Sequence, residues 1–557
     1  MKQRSSWAWF IALALVLIVT PLMAQKITGA INGVVSDPSG AVIAKATVTI
    51  TNIGTGLTRT ATTNDMGEYI VPDLPNGTYQ ILVKQANFKE AVTSNVEVHV
   101  ASTALVNVQL QLGNTNEQVT VEANAIQVQT DSAELGEVVL AGQVRDLPLN
   151  GRNFVALTQL QPGVSSARTY NAVGKGLAGG VDFAVNGNSM DNNLFLVDGA
   201  NNNDVGSNRT ILIYPSIESI QEFKMLRNAY GPEYGQSSGG VISIVTKSGT
   251  NAWHGSVFYF GRNDALDAYD WFSARHAAQD KAANVINPST GTAYSNPNQD
   301  KPILRRNDFG YSLGGPIKKD KLFFFWSQEW NREVRGVARS GCVPSAAERG
   351  GDFSQVTCGD TLANPFPAAM QGANGKYSIA QSSILPAMVD QMGQYPLPNF
   401  TCPTTPAGQA TATAGARGCN NWQAFPSTHL NYRQENVRGD YNLTRNHVAT
   451  FRYTQDSWVN PAPVAGYWGD DSFPQLESNW AQPSKSIIGK VTSTIGSNLV
   501  NTAEFSYSNN RIIITPGGTN ASLGAKLNSD FPTLFPADLK THPIGIPALN
   551  LLSLIHI

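Results

Sequence analysis

In the second half of the chain, apolar and polar residues alternate over several separate stretches. Between 308 and 313, Phe309, Tyr311 and Leu313 occupy one set of positions, and Asp308, Gly310 and Ser312 occupy the other. The same alternation recurs at 436–441, 449–454 and 502–507. Successive side chains of a β-strand point to opposite faces, so this pattern predicts strands with one apolar and one polar face. We predict seven strands in this half, at 253–262, 307–315, 321–331, 432–442, 447–456, 485–494 and 499–511.

The connections between these strands distinguish a soluble sandwich from a membrane barrel. Short connections at 316–320, 443–446 and 495–498 alternate strictly with long ones. Transmembrane barrels have short periplasmic turns and longer extracellular loops, whereas compact soluble domains seldom carry several long loops without secondary structure. We therefore predict an antiparallel outer-membrane β-barrel whose apolar face contacts outer-membrane lipid.

Seven strands are too few to close a barrel of this kind. Open sheet edges are excluded from lipid, and plugged transport barrels have about 22 strands. The final residues, 551–557, are also out of keeping with the polar stretch before them. We therefore expect residues 251–557 to be the first part of a longer barrel, and we expect this chain not to insert and transport by itself.

The N-terminus predicts export from the cytoplasm. Lys2 and Arg4 precede an apolar run from Trp7 to Val19, and a small residue, Ala24, provides a cleavage point. These features are typical of a secretory signal peptide at residues 1–24. The alternative is an uncleaved membrane anchor, although the apolar run is short for a spanning helix.

Residues 27–113 predict a small β-sandwich. About seven short strand-like segments follow one another, separated by turn signals such as Asp37-Pro38-Ser39-Gly40 and Asn64-Asp65-Met66-Gly67. Asn64 and Asp65 could also be read as calcium ligands, but turn formation explains them better.

Residues 126–250 mix helix and strand patterns and are rich in glycine and asparagine. A helix is predicted over 154–160, strands that end in glycine turns are predicted over 183–187 and 194–199, and a strand is predicted over 241–246. Within this region, residues 235–239 fit the G-x-S-x-G nucleophile pattern. That pattern requires a strand that turns sharply into a helix, whereas a β-branched run follows here. We therefore predict no catalytic residue and no enzymatic activity.

Composition excludes some partners. Charged residues make up 14% of the chain, below the value of about 25% typical of soluble proteins, and polar uncharged residues and 50 glycines fill the difference. A net charge of −2 offers no electrostatic surface for nucleic acid. We predict no cofactor and no metal site.

The four cysteines, Cys342, Cys358, Cys402 and Cys419, all lie between the third and fourth predicted strands. An exported chain meets an oxidising compartment, so disulfides are expected, and three pairings are possible. We favour the sequence-local pairing Cys342–Cys358 and Cys402–Cys419. A zinc site is the alternative, but no pair has CxxC spacing.

Two parts of this chain resemble known protein families. The segments 33–46, 63–69 and 74–79 resemble the carboxypeptidase regulatory-like domain, an accessory module whose name does not imply peptidase activity. The series from 146 through 249, continued by Asn251-Ala252-Trp253-His254-Gly255-Ser256, resembles the plug and first strand of TonB-dependent receptors of the Oar-like type. The resemblance implies a mainly β protein consisting of an N-terminal β-sandwich, an α+β plug and the first part of an outer-membrane antiparallel β-barrel.

The resemblance also gives a role to the connector at 114–125. Glu117, Gln118, Val119, Thr120 and Val121 alternate and resemble the TonB box, a segment that a TonB-type periplasmic energy transducer binds as an added strand. The alternative is that this segment is simply the last strand of the sandwich, or a linker.

These expectations lead to two functional hypotheses. The first is energy-coupled transport of a bulky extracellular ligand (a peptide, protein or glycan) across the outer membrane, with the sandwich in the periplasm. The second is a cell-surface adhesion or structural protein without active transport.

Overall fold

A computed structural model shows three modules in chain order, which we name the sandwich, the central module and the strand wall. The structure describes residues 27–113, 118–122, 135–149, 151–166, 181–204, 207–228, 230–231, 234–268, 303–336, 339–341, 343, 345–350, 396–398, 422–424, 427–460, 478–495 and 499–516. The predicted signal peptide at 1–24 and the residue Glu117 lie outside these ranges, as do the four cysteines.

The sandwich consists of two packed sheets. Its strands are β1 (Gly29–Ser36), β2 (Thr47–Asn52), β3 (Thr58–Thr62), β4 (Glu68–Leu74), β5 (Gly77–Lys84), β6 (Glu90–Val98), β7 (Thr103–Leu105), β8 (Val108–Gln109) and β9 (Gln118–Glu122). One sheet has the order β4-β1-β7, with β8 also paired to β1, and the other has the order β3-β2-β5-β6-β9. Alternate residues of β1 and β5, among them Ile31, Val35 and Ile81, are buried between the sheets. This burial explains the alternation in the sequence.

The side chain of Asn64 forms the turn that was predicted at this position. The Asn64 Oδ1 atom accepts hydrogen bonds from the backbone N–H groups of Met66 and Glu68, both at 2.9 Å. Gly67 has a φ of 70°, in the region that favours glycine. The side chain closes its own turn, as expected for asparagine.

The central module is built on one five-stranded sheet, in the order β10-β17-β18-β13-β14. Its strands are β10 (Leu135–Leu140), β11 (Val164–Ser166), β12 (Phe183–Val185), β13 (Leu194–Val197), β14 (Ala200–Asn201), β15 (Asn203–Asp204), β16 (Ser207–Ile211), β17 (Ile220–Asn228) and β18 (Val241–Thr246). A short helix α1 (Ala141–Asp146) and 3₁₀ turns at Phe154–Leu160, Met190–Asn192 and Ile217–Ser219 surround the sheet.

The helix predicted at 154–160 is therefore present as a 3₁₀ helix. Asn153 begins it by accepting a hydrogen bond from the backbone N–H of Val155 at 3.1 Å. Phe154, Val155 and Leu157 are buried in the core of the module. The tighter turn occurs where a short apolar segment must place several side chains into one core.

The strand wall is an antiparallel sheet in the order β19-β20-β21-β24-β25-β26-β27. Its strands are β19 (His254–Asn263), β20 (Leu304–Lys318), β21 (Leu322–Gly336), β24 (Ser427–Asn442), β25 (His447–Asn460), β26 (Ser478–Ile495), β27 (Leu499–Asn510) and β28 (Ile513–Pro516), the last also paired to β26. A separate pair, β22 (Arg339–Gly341) and β23 (Trp422–Ala424), and the helix α2 (Ala346–Arg349) lie between β21 and β24 in the chain.

All seven predicted strands are confirmed, and several extend beyond their predicted ends. Leu304–Lys318 is 15 residues long, for example, and Ser478–Ile495 is 18 residues long. The additional residues lie mostly at the strand ends that lead into long connections. Polar residues interrupt the alternation of apolar and polar positions there. The mainly β fold class is confirmed. No helix in the described ranges is long and apolar enough to span a membrane.

The two faces of the wall have different surroundings. On β19, Val257 is 88% exposed and Tyr259 is 66% exposed, whereas the neighbouring Ser256 and Phe258 contact the central module. On β20, Arg306, Asp308 and Ser312 are buried on the same side. The apolar row therefore faces outward, as in a barrel in lipid, and the polar row faces the central module.

Candidate functional site: the polar contact between the central module and the strand wall

The polar face of the wall carries the charged groups that hold the central module. Charged side chains on a membrane strand are costly unless they face a partner or a polar interior. In this structure they meet a partner, because the ends of β13 and β18 in the central module lie against β24 and β25.

Asp198 occupies a tight turn between β13 and β14. It has a φ of 51°, and Gly199, which follows it, has a φ of 95°. Two consecutive residues with positive φ are typical of a two-residue hairpin turn, for which Asp-Gly is a favoured pair. The apolar strand 194–197 is fully buried and leads directly into this turn. The chain thereby places a carboxylate at the buried end of the central sheet.

Four donors surround the Asp198 carboxylate. Thr246, at the end of β18, donates its backbone N–H at 2.9 Å and its hydroxyl at 2.8 Å. Arg452 on β25 donates at 2.9 Å, and Arg438 on β24 donates at 3.3 Å. Burial alone raises the pKa of Asp198, but the two guanidinium groups and the bonds from Thr246 outweigh it and lower that pKa below its usual value. Asp198 is therefore an ionised, fully buried link between the two modules.

The two arginines are themselves held in place. Arg438 makes a bidentate pair with Asp440, at 2.9 and 3.0 Å, and donates to the Thr246 carbonyl at 2.7 Å. Arg452 also donates to Ser486 on β26 at 3.0 Å. Asp440 accepts a further bond from the Ser248 hydroxyl at 2.7 Å. Three wall strands thus converge on the end of one hairpin, and bidentate geometry fixes the direction of the contact.

A second contact is made by the segment 214–216, which precedes β17. The Tyr214 N–H donates to Asp456 at 3.0 Å, and the Tyr432 hydroxyl donates to the Tyr214 carbonyl at 2.8 Å. Ser216 donates from its backbone to Gln434 and from its hydroxyl to Glu329, both at 2.5 Å. All these groups are buried. Wall side chains thus satisfy backbone groups that would otherwise be buried without partners.

A third contact surrounds Arg152, a residue with a φ of 48°. Its guanidinium carbon lies 4.5 Å from the ring centre of Phe258 and 4.3 Å from that of Phe260, both on β19. Its Nη2 atom is 3.4 Å from a carboxylate oxygen of Glu218, whose other oxygen accepts from Ser256 at 3.1 Å. A desolvated cation over two neighbouring aromatic rings is a stabilising arrangement.

The sandwich is attached to the central module through Glu222 on β17. This buried carboxylate accepts the backbone N–H of Val100 at 2.5 Å and the side-chain amide of Asn76 at 2.6 Å. The His99 ring lies 2.8 Å from its second oxygen. The hydrogen bond with Glu222 is the main cause that raises the pKa of His99 above its usual value of 6.5.

The sandwich also touches the ends of the wall strands that carry short turns. Arg59 on β3 donates to the carbonyl of Arg445, in the turn between β24 and β25. The backbone N–H of Asn251 donates to the Gly54 carbonyl at 2.8 Å. A cavity of about 430 Å³ lies where the three modules meet, and its lining includes Arg59 and Lys490.

The segment singled out for energy coupling lies on the sandwich. Residues Gln118–Glu122 form β9, the fifth strand of the larger sheet, and pair in parallel with β6. This matches the structural alternative, in which the segment is the last strand of the sandwich. Its coupling role stays a prediction.

Ser237, the serine of the G-x-S-x-G pattern, has a structural role. The Ser237 hydroxyl donates to the Asn192 carbonyl at 2.8 Å, and β18, not a helix, follows the glycine pair. This geometry is not that of a nucleophile elbow. Within the part of the chain that the structure describes, no three His, Cys, Asp or Glu side chains are grouped so that they could hold a metal ion.

The sequence did not single out Asp198, Glu222, Arg438 or Arg452 as functional residues. A signal was present for the two arginines, because both lie on the polar row of an alternating strand, where charge is costly without a partner. No comparable signal marked Asp198 or Glu222, since Asp-Gly reads as an ordinary turn and Glu222 lies in an ordinary strand.

Comparison with known proteins agrees with this architecture. Residues 30–111 match the carboxypeptidase regulatory-like domain, and residues 245–553 match the outer membrane beta barrel domain. The TonB-dependent transporter Oar of Myxococcus xanthus is 30% identical over 277 residues, which are 48% of this chain and 23% of that protein. The chain thus spans about a quarter of the length of this relative. The resemblances to the carboxypeptidase regulatory-like domain and to Oar-like TonB-dependent receptors are confirmed, and the plug assignment of residues 126–250 stays a prediction.

Solved structures that align with part of this chain include the outer membrane transporter YddB of Escherichia coli. It is 12% identical, with a TM-score of 0.36 over 65% of this chain and 37% of that one. The siderophore receptor PirA of Pseudomonas aeruginosa is 14% identical, with a TM-score of 0.30 over 68% of this chain and 48% of that one.

The match to the barrel family extends over more than half of the chain, from the end of β18 to beyond β28. The chain therefore belongs to the outer membrane beta barrel domain family, which places it, as predicted, in the outer membrane. The relatives that it matches are transporters and receptors and not enzymes, in agreement with the prediction.

Proposed function

We propose that this chain is part of a TonB-dependent outer-membrane transporter in which the central module is the plug. The buried contact of Asp198 with Arg452 and Arg438 is the observation that carries this proposal. It ties a separately folded module to the polar face of the wall, on the side opposite the outward apolar row. A module held on that face would close the lumen of a completed barrel.

The position of the sandwich supports a periplasmic location for this module. It contacts the wall at Arg445 and Asn251, next to short connections. Short turns are on the periplasmic side of bacterial outer-membrane barrels. A TonB-type energy transducer acts from that side, so the segment Glu117–Val121 is within its compartment.

We propose that the transducer binds this segment as an added strand and that the force it applies rearranges the plug. Strand addition takes its affinity from main-chain hydrogen bonds and needs little side-chain specificity. A short, alternating strand at the edge of the sandwich, which precedes β10 in the chain, suits this role. The ligand would be a bulky peptide, protein or glycan bound by the extracellular loops.

The test removes residues 117–123 from the full-length protein. The matched control keeps the length and composition of the segment but scrambles its order. Binding of the purified C-terminal domain of the cell's own TonB-type protein is measured, together with growth on candidate peptides or glycans as sole carbon source. We expect the deletion to abolish both while surface binding of the same peptide or glycan persists. Unchanged growth would contradict energy coupling and favour adhesion.

A further inference from the structure

The coupling segment is already engaged as a strand in this structure. β9 lies parallel to β6 over five register pairs, from Glu90↔Gln118 to Ser94↔Glu122. β6 is paired on its other side to β5 and contributes Ala91, Val96 and Val98 to the sandwich core. One main-chain edge of the segment is therefore occupied by the sandwich.

This pairing is short and peripheral. Parallel pairs are slightly less stable per residue than antiparallel ones, and β9 stands at the end of the sheet order. β6 pairs with β5 along one edge and with β9 along the other. β9 can therefore separate from β6 while the β5–β6 pairing stays intact. Such an edge strand is suited to reversible release.

The sandwich also lies in the path that a force on β9 would follow. While β9 stays paired, a pull on it loads β6 and then the Glu222 contact with Val100 and His99. The direct path runs through the chain from Glu122 to β10, the edge strand that pairs with β17. Both paths reach the same place, because Leu140 of β10 is the register partner of Glu222. As long as β9 is paired, the sandwich carries load that would otherwise reach β10.

We propose that the sandwich masks the coupling segment by holding it as the fifth strand of its sheet. The segment must leave β6 before the periplasmic transducer can bind it and load the plug. This inference rests on the proposed function of Glu117–Val121 and adds a regulatory step to it. It assigns the sandwich the role of an intramolecular competitor for the same main-chain edge.

A disulfide across the β6–β9 pair tests the masking. Register partners in neighbouring strands have Cα separations that a disulfide can bridge, so the double variant Ser94→Cys/Glu122→Cys would lock the segment in place. The matched control is Thr51→Cys/Thr58→Cys, which staples the opposite edge of the same sheet, where the two hydroxyls lie 3.4 Å apart. The two single-cysteine variants of the test pair control for the substitutions themselves.

Full-length receptor in outer-membrane vesicles is oxidised, and binding of the purified C-terminal domain of the TonB-type protein is measured before and after mild reduction. We expect the locked variant to lose affinity by about tenfold or more, because the apparent Kd rises as the binding-competent fraction falls. Reduction should restore binding, and the control staple should leave it unchanged.

Three results would overturn the inference, and they are distinguishable. Equal binding by the locked and reduced forms would show that the transducer adds to the free edge of β9, so that masking fails while coupling stands. Failure of the test pair to form a disulfide, when the control pair forms one, would show that the segment does not occupy β6. Absence of binding in the reduced forms and in the wild type would overturn the proposed coupling role together with the masking.

Discussion

Replacing Asp198 by asparagine tests how strongly the central module is held to the wall. Asparagine keeps the size of the side chain. It can still accept the hydrogen bond from the Thr246 N–H, which is 2.9 Å long with aspartate at this position. It loses the charge that attracts Arg452 and Arg438, at 2.9 and 3.3 Å. Because the Asp198 and Arg452 side chains are only 3% and 2% exposed, water does not replace this partner.

The expected cost follows from these two contacts. A hydrogen bond to a charged group contributes about 1.5–3 kcal/mol, and breaking a buried ion pair by removing one partner costs about 3–5 kcal/mol. Arg438 keeps its bidentate pair with Asp440, so the loss falls mainly on Arg452. We expect the local opening free energy at the hairpin to fall by about 3–5 kcal/mol, which accelerates amide exchange roughly 10²- to 10⁴-fold.

Hydrogen–deuterium exchange of full-length receptor in detergent measures this effect in peptides that cover β18 and the 198–199 turn. Asp146→Asn is the matched control, since Asp146 pairs with the exposed Arg145 at the protein surface, and it should leave these peptides unchanged. The double variant Asp198→Asn/Arg452→Gln should lose less than the sum of the single variants, because the two residues share one interaction. Wild-type exchange in Asp198→Asn, or strict additivity in the double variant, would refute the assignment of this pair as the link.

Two further predictions concern the other contacts. The raised pKa of His99, which faces Glu222 at 2.8 Å and Glu97 at 3.4 Å, means that its protonated form stabilises sandwich docking. This contribution is complete below pH 6.5 and is lost as the pH rises through the raised value, so exchange at 98–102 should be faster at pH 8 than at pH 6, beyond the intrinsic pH effect. His99→Gln should remove that difference, and a retained difference would contradict the assignment. Arg152→Ala should cost about 2 kcal/mol through loss of the contacts with Phe258 and Phe260, and limited proteolysis near 151–160 should accelerate. Arg152→Lys should recover only part of the protection, because lysine lacks the planar guanidinium; full recovery would indicate a simple charge effect.

Much of the fold was predictable because it depends on local periodicity. The alternation at 308–313 places Phe309 and Tyr311 on the face opposite the buried Asp308. The structure confirms it, since both aromatic residues are only half-buried and a strand has a fixed period of two. Loop length then distinguished barrel from sandwich, which periodicity alone could not do. The strand limits were less predictable, because the polar residues at the outer ends of β20 and β26 hide the period.

The sequence by itself determined the class of each module, the apolar and polar faces of the wall strands, and the turns at Asn64 and Asp198. These depend on residues close in the chain, where backbone sterics and side-chain period leave few options. Only the tertiary structure decided which polar residues meet. Asp198 and Arg452 are 254 positions apart, and Glu222 reaches Val100 across 122. The energy of such contacts depends on burial and on the partner's position, neither of which a local pattern records. The same is true of the segment at 118–122: its alternation predicted a strand, but only the fold showed that β6 already holds it.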